Sequence, residues 1–389
     1  MVSKYYDYIF LGAGCASLSI LMRMIHSGNF SEKKILVIDK ENKTRNDRTW
    51  CFWEEKPGFF EDIVYRKWKE VFFKSTGDEI IPLQMSNYQY KMIRGIDFYK
   101  YCFSKIDLQK NIDIIHGEIS FEETDELLRI KVNNVALLYG KDTIIFNSLY
   151  IPSKKQKNKF YLLQHFKGWI IESEHDFFNP SQATLMDFRV KQTHGTTFVY
   201  VLPLSSTTAL VEYTLFSENI LSKNEYDKEL ELYVKERLGL DNYKITEEEF
   251  GVIPMTNESF PYFKNGMYFI GTAGGQTKAS TGYTFRFIQK QADEIVTELI
   301  SKGSISKKKK LKKRFLFYDS TLLHILSRKM LEGRLIFSLL FKKNKAVDIF
   351  KFLDNESNLS EEIKLINSLP KRAFVKAGFL EFIKMLLKK

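Results

Sequence analysis

Apolar positions from Tyr5 to Leu11 run almost without interruption and read as a buried strand. A tight cluster of small residues follows, Gly12-Ala13-Gly14-Cys15-Ala16-Ser17. Leu18 to Ile25 then predicts a helix, which Ser27-Gly28-Asn29 ends. Lys34 to Ile38 is a second apolar strand and closes on Asp39. Further along, Asn111–His116, Ile130–Leu138 and Asp142–Tyr150 predict accessory strands. Phe160–Glu172, Ala183–Val190, Thr197–Leu202 and Ala209–Phe216 alternate as a separate antiparallel sheet. Asn224–Leu238 predicts a helix, with a strand near Glu248–Val252. Met267–Ile270 leads as a short strand into a second glycine segment, and Tyr283–Ile300 is helical. In the tail, Arg314–Phe341, Ala346–Leu353 and Pro370–Leu387 read as apolar or amphipathic helices. There is no internal repeat and no long Pro- or Ser-rich linker, so the units are expected to interleave.

Gly12-x-Gly14-x-x-Ser17, set between a strand and a helix, carries the chemistry of a phosphate turn. The first glycine permits the tight turn. The second lets backbone approach a pyrophosphate, and the helix N-terminus offers free N–H groups to that anion. Ser17 holds the third glycine place and is small enough for close helix packing. An acidic side chain at the end of the second strand, Asp39, suits the ribose hydroxyls of an adenosine. The segment Gly271-Thr272-Ala273-Gly274-Gly275, continuing to Gly282, resembles the late strand–glycine–helix unit with which FAD enzymes complete the flavin site.

Composition narrows the field. The 389 residues are 44% hydrophobic and 28% charged, as in an ordinary folded protein rather than a disordered one. Three cysteines, Cys15, Cys51 and Cys102, give neither a disulfide scaffold nor a zinc spacing, and fit a reduced cytoplasmic setting. None of the six histidines stands in a metal or triad pattern, so no metal is expected. The net charge of +11 is uneven: from Lys302 to Lys389 there are 22 basic and 8 acidic side chains, a net +14. The preceding 301 residues carry 37 basic against 40 acidic, a net −3. No stretch reaches the roughly 18 apolar residues that a spanning helix requires.

Several segments together resemble the lycopene cyclase family, in its bacterial β-cyclase branch. They are Leu11-Gly12-Ala13-Gly14-Cys15-Ala16-Ser17-Leu18-Ser19; Asn46-Asp47-Arg48-Thr49-Trp50-Cys51-Phe52-Trp53; the run from Tyr200 to Thr214; Gly251-Val252-Ile253-Pro254; and Gly271 to Gly275 with Ser280-Thr281-Gly282-Tyr283. Phe352-Leu353-Asp354 also fits. The resemblance implies a Rossmann-like FAD-binding domain, an interleaved antiparallel substrate sheet and a C-terminal helical region. It implies FAD in its reduced form, NAD(P)H as reductant, and conversion of linear ends of lycopene, or a related linear carotenoid, into β-ionone rings without net redox change. In that reaction an acid protonates a terminal alkene, the next alkene attacks the tertiary cation, and a ring proton leaves.

Such an acid must stay protonated at neutral pH, which burial among apolar residues favours. Glu212 lies in the apolar strand pattern Ala209-Leu210-Val211-Glu212-Tyr213, with Leu210 on its face by alternation, and matches the acidic residue of the family motif. It is the expected general acid. Asp47, Trp50, Phe52 and Tyr213 are the candidates for contact with substrate or cation. Arg48 stands where many relatives have His, which weakens any direct role for that position. The cofactor is assigned to Gly12, Gly14, Ser17, Asp39, Gly271, Thr272, Ala273, Gly274, Gly275 and Gly282.

The expected division is 1–60, 111–155 and 255–300 for the nucleotide domain, 61–110 and 156–254 for the substrate domain, and 301–389 for a basic, membrane-facing helical region. Lycopene resides in bilayers. The Lys clusters at 307–310, 312–313, 342–343, 371 and 388–389, with Arg314 and Arg372, then suggest attachment to an anionic inner membrane face. Three rival readings stay open on the residues alone. One is a flavin oxidoreductase acting on a lipid, such as a hydroxylase or an isoprenoid reductase. Another is a non-catalytic carotenoid carrier. The third is a nucleic-acid-binding protein, which the near-neutral body and the absence of a reading motif disfavour.

Overall fold

The computed structural model describes residues 5–123, 128–152, 156, 158–308 and 312–387. Two sheets organise it. The first has six strands in the order Phe263–Lys264, Met267–Phe269, Ile144–Asn147, Tyr8–Leu11, Ile35–Asp39 and Ile112–His116. Every pairing is parallel except the edge pair Phe263–Lys264 with Met267–Phe269. Tyr8–Leu11 and Ile35–Asp39 are buried along their whole length, as parallel strands covered on both faces must be. Helix Cys15–Ser27 packs against helix Phe285–Lys302, and their apolar stripes close one face.

The second sheet has seven strands, in the order Tyr243–Thr256, Tyr161–Ser173, Thr208–Ser217, Thr196–Pro203, Gln182–Asp187, Glu70–Lys74 and Ile80–Leu83. It is antiparallel except where Gln182–Asp187 runs parallel to Glu70–Lys74. A three-stranded sheet, Thr49–Glu54, Gln89–Arg94 and Arg66–Trp68, accompanies it. The architecture is thus the expected Rossmann-like α/β unit interleaved with a largely antiparallel sheet and followed by helices.

Several elements differ from the pattern reading. Helix Gly95–Ile106 and the strands between 49 and 94 went unpredicted. Ile130–Leu138 is the hairpin Leu128–Val132 and Val135–Ala136, turned by Asn133 and Asn134 at positive φ. The expected helix Arg314–Phe341 is two helices, Lys313–Ser327 and Gly333–Lys343, with Lys329 at φ 50° between them. At the start of the second, a Cβ on Gly333 would lie 2.1 Å from Thr196 Oγ1. The backbone is therefore pressed directly against the large sheet. A further helix, Leu359–Asn367, begins with an Asn358–Glu361 capping box.

The tail is built into the core rather than appended to it. Phe341 stacks on Phe73 at 4.6 Å, Phe337 lies 5.8 Å from Phe188, and Phe350 stacks on Trp53 at 4.6 Å. Each such ring, fully buried, contributes about 1.5–3 kcal/mol. Lys278 leaves the second glycine segment to enter this layer. Its Nζ sits 2.9 Å from Asp319 and 5.4 Å from the ring centres of Phe315 and Phe352.

Candidate active site

A cavity of about 980 Å³ lies where the parallel sheet meets the seven-stranded sheet. One end of this cavity is formed by loops at the carboxyl ends of parallel strands, the place where open α/β sheets bind ligands. Gly12 has φ +97°, donates its N–H to Ile38 O at 2.7 Å, and would place a Cβ 2.4 Å from Ser148 Oγ. Gly14 differs: a Cβ there would meet nothing within 4 Å. It caps helix Cys15–Ser27 without a side-chain acceptor, so the first-turn N–H groups lack a protein cap. Asp39 accepts from Ala13 N–H at 2.6 Å and Glu41 N–H at 2.8 Å, with Lys43 Nζ at 3.3 Å. Its carboxyl ties the glycine turn to the second strand.

The two glycine segments meet in space. A Cβ on Gly271, at φ +58°, would lie 2.7 Å from Ala16 Cβ. Gly282, at φ +74°, would place its Cβ 1.9 Å from Gln164 Oε1. Gly12, Gly14, Asp39, Gly271, Thr272 and Gly282 therefore line the cavity. Ser17, Ala273, Gly274 and Gly275 do not. Ser17 is buried in the helix, and its Oγ has no partner among the described residues. Gly274 and Gly275 close the turn, where a Cβ would strike Phe269 O at 2.2 Å or Phe260 at 3.0 Å.

At the other end the seven-stranded sheet presents a pair of acids. In register, Gly168 of the middle strand faces Glu212 on one side and Glu249 on the other. A Cβ at 168 would lie 3.0 Å from Glu249 Cγ and 3.0 Å from Leu210 Cδ1, so the missing side chain makes room for Glu249 and Leu210. Thr214 donates to Glu212 Oε1 at 2.7 Å, and Thr49 donates to Glu249 Oε2 at 2.6 Å. Glu249 Oε1 is closed to solvent and has no hydrogen-bond donor among the described residues, and the Glu212 carboxyl is its electrostatic neighbour. Enclosure by protein pushes Glu212 well above the usual carboxylate range, and the charge of Glu249 pushes it further. Burial raises Glu249 as well. Glu249 is the functional candidate that sequence reasoning missed. The run Glu247-Glu248-Glu249 reads as a solvated face, and only an unexplained glycine in an apolar strand hinted at a pair.

Around the acids stand Tyr90, Tyr200, Tyr283 and Cys51, and Trp50 lines the same cavity. Tyr200 is directly opposite Glu212 in the sheet register. Burial pushes Tyr90 and Tyr200 well above their usual phenol range and the Cys51 thiol well above its own; nearby carboxylate charge adds to each. These groups therefore stay neutral, polarisable and poorly nucleophilic. Trp50 lies 5.2 Å from Phe98 and 6.0 Å from Phe285. Asp47 lines the cavity with Arg48 at 3.6 Å. The structure does not bring Phe52 or Tyr213 to this cavity. Phe52 stacks on Phe285 at 4.4 Å and lines a separate pocket of about 230 Å³. Tyr213 points to the opposite face of its strand, into a cluster with Val211, Leu215 and Tyr226. Strand alternation requires this once Glu212 faces the cavity.

Comparison with known proteins agrees with this architecture. A family model described as lycopene cyclase protein matches residues 7–378. A lycopene beta-cyclase of Pantoea ananas is 24% identical over 306 residues, covering 76% of this chain and 75% of that protein. Among solved structures, a flavoprotein/dehydrogenase from Cytophaga hutchinsonii superposes with a TM-score of 0.62 at 11% identity, covering 99% of this chain and 100% of that one. A geranylgeranyl bacteriochlorophyll reductase-like protein from Thermoplasma acidophilum gives 0.56 at 14% identity, covering 99% of both chains. These two likenesses concern the fold. With the family match spanning nearly the whole chain, from the first strand into the last helix, the protein belongs to the lycopene cyclase family.

Proposed function

We propose that this chain is an FAD-dependent, non-redox lycopene β-cyclase. The observation that carries the reading is an enclosed acid, Glu212, in an aromatic-lined cavity whose far wall is a nucleotide-binding glycine turn. The residues fit FAD: Gly14 leaves open the space a Cβ would fill, the helix behind it is uncapped, and Gly271 and Gly282 let backbone approach from the second segment. Gly12, Gly14, Asp39, Gly271, Thr272 and Gly282 would hold it. Bound in its reduced form, with NAD(P)H as the source of electrons, the flavin supplies negative charge beside a developing cation.

The remaining chemistry belongs to the chain. Glu212, held protonated by enclosure, delivers its proton to the terminal alkene. Tyr90, Tyr200 and Tyr283 turn neutral rings towards the cation, each contributing about 0.5–2 kcal/mol. Cys51 and the phenols, kept protonated, do not trap the cation as nucleophiles. The apolar walls exclude water, so ring closure outcompetes hydration.

The proposed working arrangement keeps the division into a nucleotide domain, a substrate domain and a tail, and places the protein on the cytoplasmic face of a membrane. Among the described residues no helix is long and apolar enough to cross a bilayer. Much of the tail charge is engaged internally: Arg314 pairs with Glu362 at 2.9 Å and Lys342 with Glu79 at 2.8 Å. Lys309, Lys310, Lys388 and Lys389 lie outside the described residues. The last helix, Lys371–Leu386, is the best candidate for contact. Val375, Phe379, Phe382 and Leu386 recur along one exposed stripe, with Phe379 62% exposed, beside Lys371, Arg372 and Lys376. Substituting Glu for both Phe379 and Phe382 should abolish sedimentation with anionic vesicles while leaving thermal stability unchanged. Retained sedimentation would remove this helix as the anchor.

Cells that accumulate lycopene test the activity directly. Expression should replace lycopene by a ring-bearing isomer of equal mass on chromatography. Unchanged lycopene, or a product differing by two hydrogens or an oxygen, would contradict the proposal and favour a flavin oxidoreductase.

A further inference from the structure

The geometry around Gly168 carries an inference about Glu249, which rests on the reading of Glu212 as the acid. Two carboxyls share one enclosed site. The hydroxyls of Thr214 and Thr49 each take one oxygen, and the two residues stand on either side of Gly168 in the sheet register. The titratable groups facing them from the surrounding strands and loops are Cys51, Tyr90, Tyr200, Tyr283 and Glu247; no Lys, Arg or His is among the groups that shift either carboxyl. Two carboxylates without a cation repel strongly in such an environment, so the pair retains one proton and titrates as a unit.

We propose that Glu249 is the proton-accepting half of a Glu212–Glu249 pair that starts and ends each ring closure holding a single proton. The Glu212 O–H bond breaks as a C–H bond forms at the terminal alkene. The second alkene then donates its electron pair to the cation, and the ring C–C bond forms. A ring C–H bond next breaks, its electrons become the ring double bond, and the proton passes to the Glu249 carboxylate. Transfer of that proton from Glu249 to the neighbouring Glu212 carboxylate restores the acid form of Glu212. No oxidant or reductant is consumed. At the moment the substrate is a cation both carboxyls are anionic, so the pair stabilises the intermediate as well as relaying its proton.

The test compares holoenzyme loaded with reduced FAD, wild type against Glu249→Gln, on lycopene in phospholipid vesicles. Gln keeps the shape and still accepts from Thr49. Flavin absorbance should match wild type, KM should hold, and kcat should fall at least tenfold. The alkaline limb of the rate profile should move to lower pH, because a neutral Gln no longer raises Glu212. Glu249→Asp should recover part of the rate. Wild-type kcat and pH profile in Glu249→Gln would overturn the pairing and leave Glu212 as a lone acid. Retained cyclisation in Glu212→Gln would overturn the underlying reading instead. Infrared spectra of the wild-type holoenzyme give a readout independent of how Glu249→Gln folds. At neutral pH the pair predicts one protonated-carboxyl band that Glu212→Gln removes, and its absence would overturn the proposal.

Discussion

The cavity has two ends that treat a carboxyl in opposite ways. At the nucleotide end, Asp39 is surrounded by donors: two backbone N–H groups and Lys43. At the sheet end, Glu212 meets another carboxyl across Gly168 and, among the described residues, receives one threonine hydroxyl. The first arrangement spends the carboxyl on holding a loop. The second leaves a carboxyl dissatisfied in its charged form, and so keeps it an acid. The difference comes from enclosure at Glu212, to which the neighbouring carboxylate adds, against the donors gathered on Asp39. A nucleotide site needs a fixed turn, whereas protonating an alkene needs a proton the protein is reluctant to bind elsewhere.

Substitutions should separate the two ends. The largest effect belongs to Glu212→Gln. Cyclisation should fall by about 10²–10⁴-fold, the usual contribution of a positioned acid, while flavin absorbance stays at the wild-type level. Equal loss of flavin would collapse the distinction. Next is Gly14→Val, which should fold with an unchanged melting temperature but lose flavin affinity by at least about tenfold, since a side chain has room only where the ligand would lie. Gly12→Val should do the reverse and cost about 1–3 kcal/mol of stability, through its positive φ and the contact with Ser148.

A smaller effect follows from linkage. Because enclosure raises the Glu212 pKa in the native state, the unfolded chain releases that proton first as pH climbs through the ordinary carboxyl range. The contribution of Glu212 to stability is therefore intact at low pH and lost as pH rises towards its native pKa. Glu212→Gln should match wild type in melting temperature at pH 4 and exceed it at pH 8; a lower midpoint at pH 8 would contradict the assignment. The smallest effect is expected of Gly168→Ala. The new methyl would press on Glu249 Cγ and Leu210 Cδ1 at 3.0 Å, and the rate should drop several-fold with little change in flavin binding.

Local grammar made the nucleotide end legible. Strand, glycine turn, helix and terminal Asp39 are contiguous, and each obeys a short-range rule that single positions reveal. The sheet end was half legible. Alternation placed Leu210 and Glu212 on one face correctly, and the same rule sends Tyr213 to the other. Glu249 could not be reached that way, because its relation to Glu212 passes through the register of a third strand, with Gly168 at 44 positions from one acid and 81 from the other. The tail was misleading for a different reason. Its Lys clusters mark the surface, but the apolar residues between them, Phe337, Phe341 and Phe350 among them, are core to a sheet more than a hundred positions earlier. Charge patterning reports what is solvated and is silent on what lies beneath.

The central claim is that an enclosed acid, rather than an electron transfer, changes the substrate. Product mass after reaction of the flavin-loaded enzyme with lycopene in D₂O tests it most directly. With enzyme equilibrated in D₂O and in excess over substrate, the account predicts that the first ring each enzyme closes carries one deuterium and that the product is otherwise isomeric with lycopene. A product that has gained or lost two hydrogens, or gained an oxygen, would contradict it.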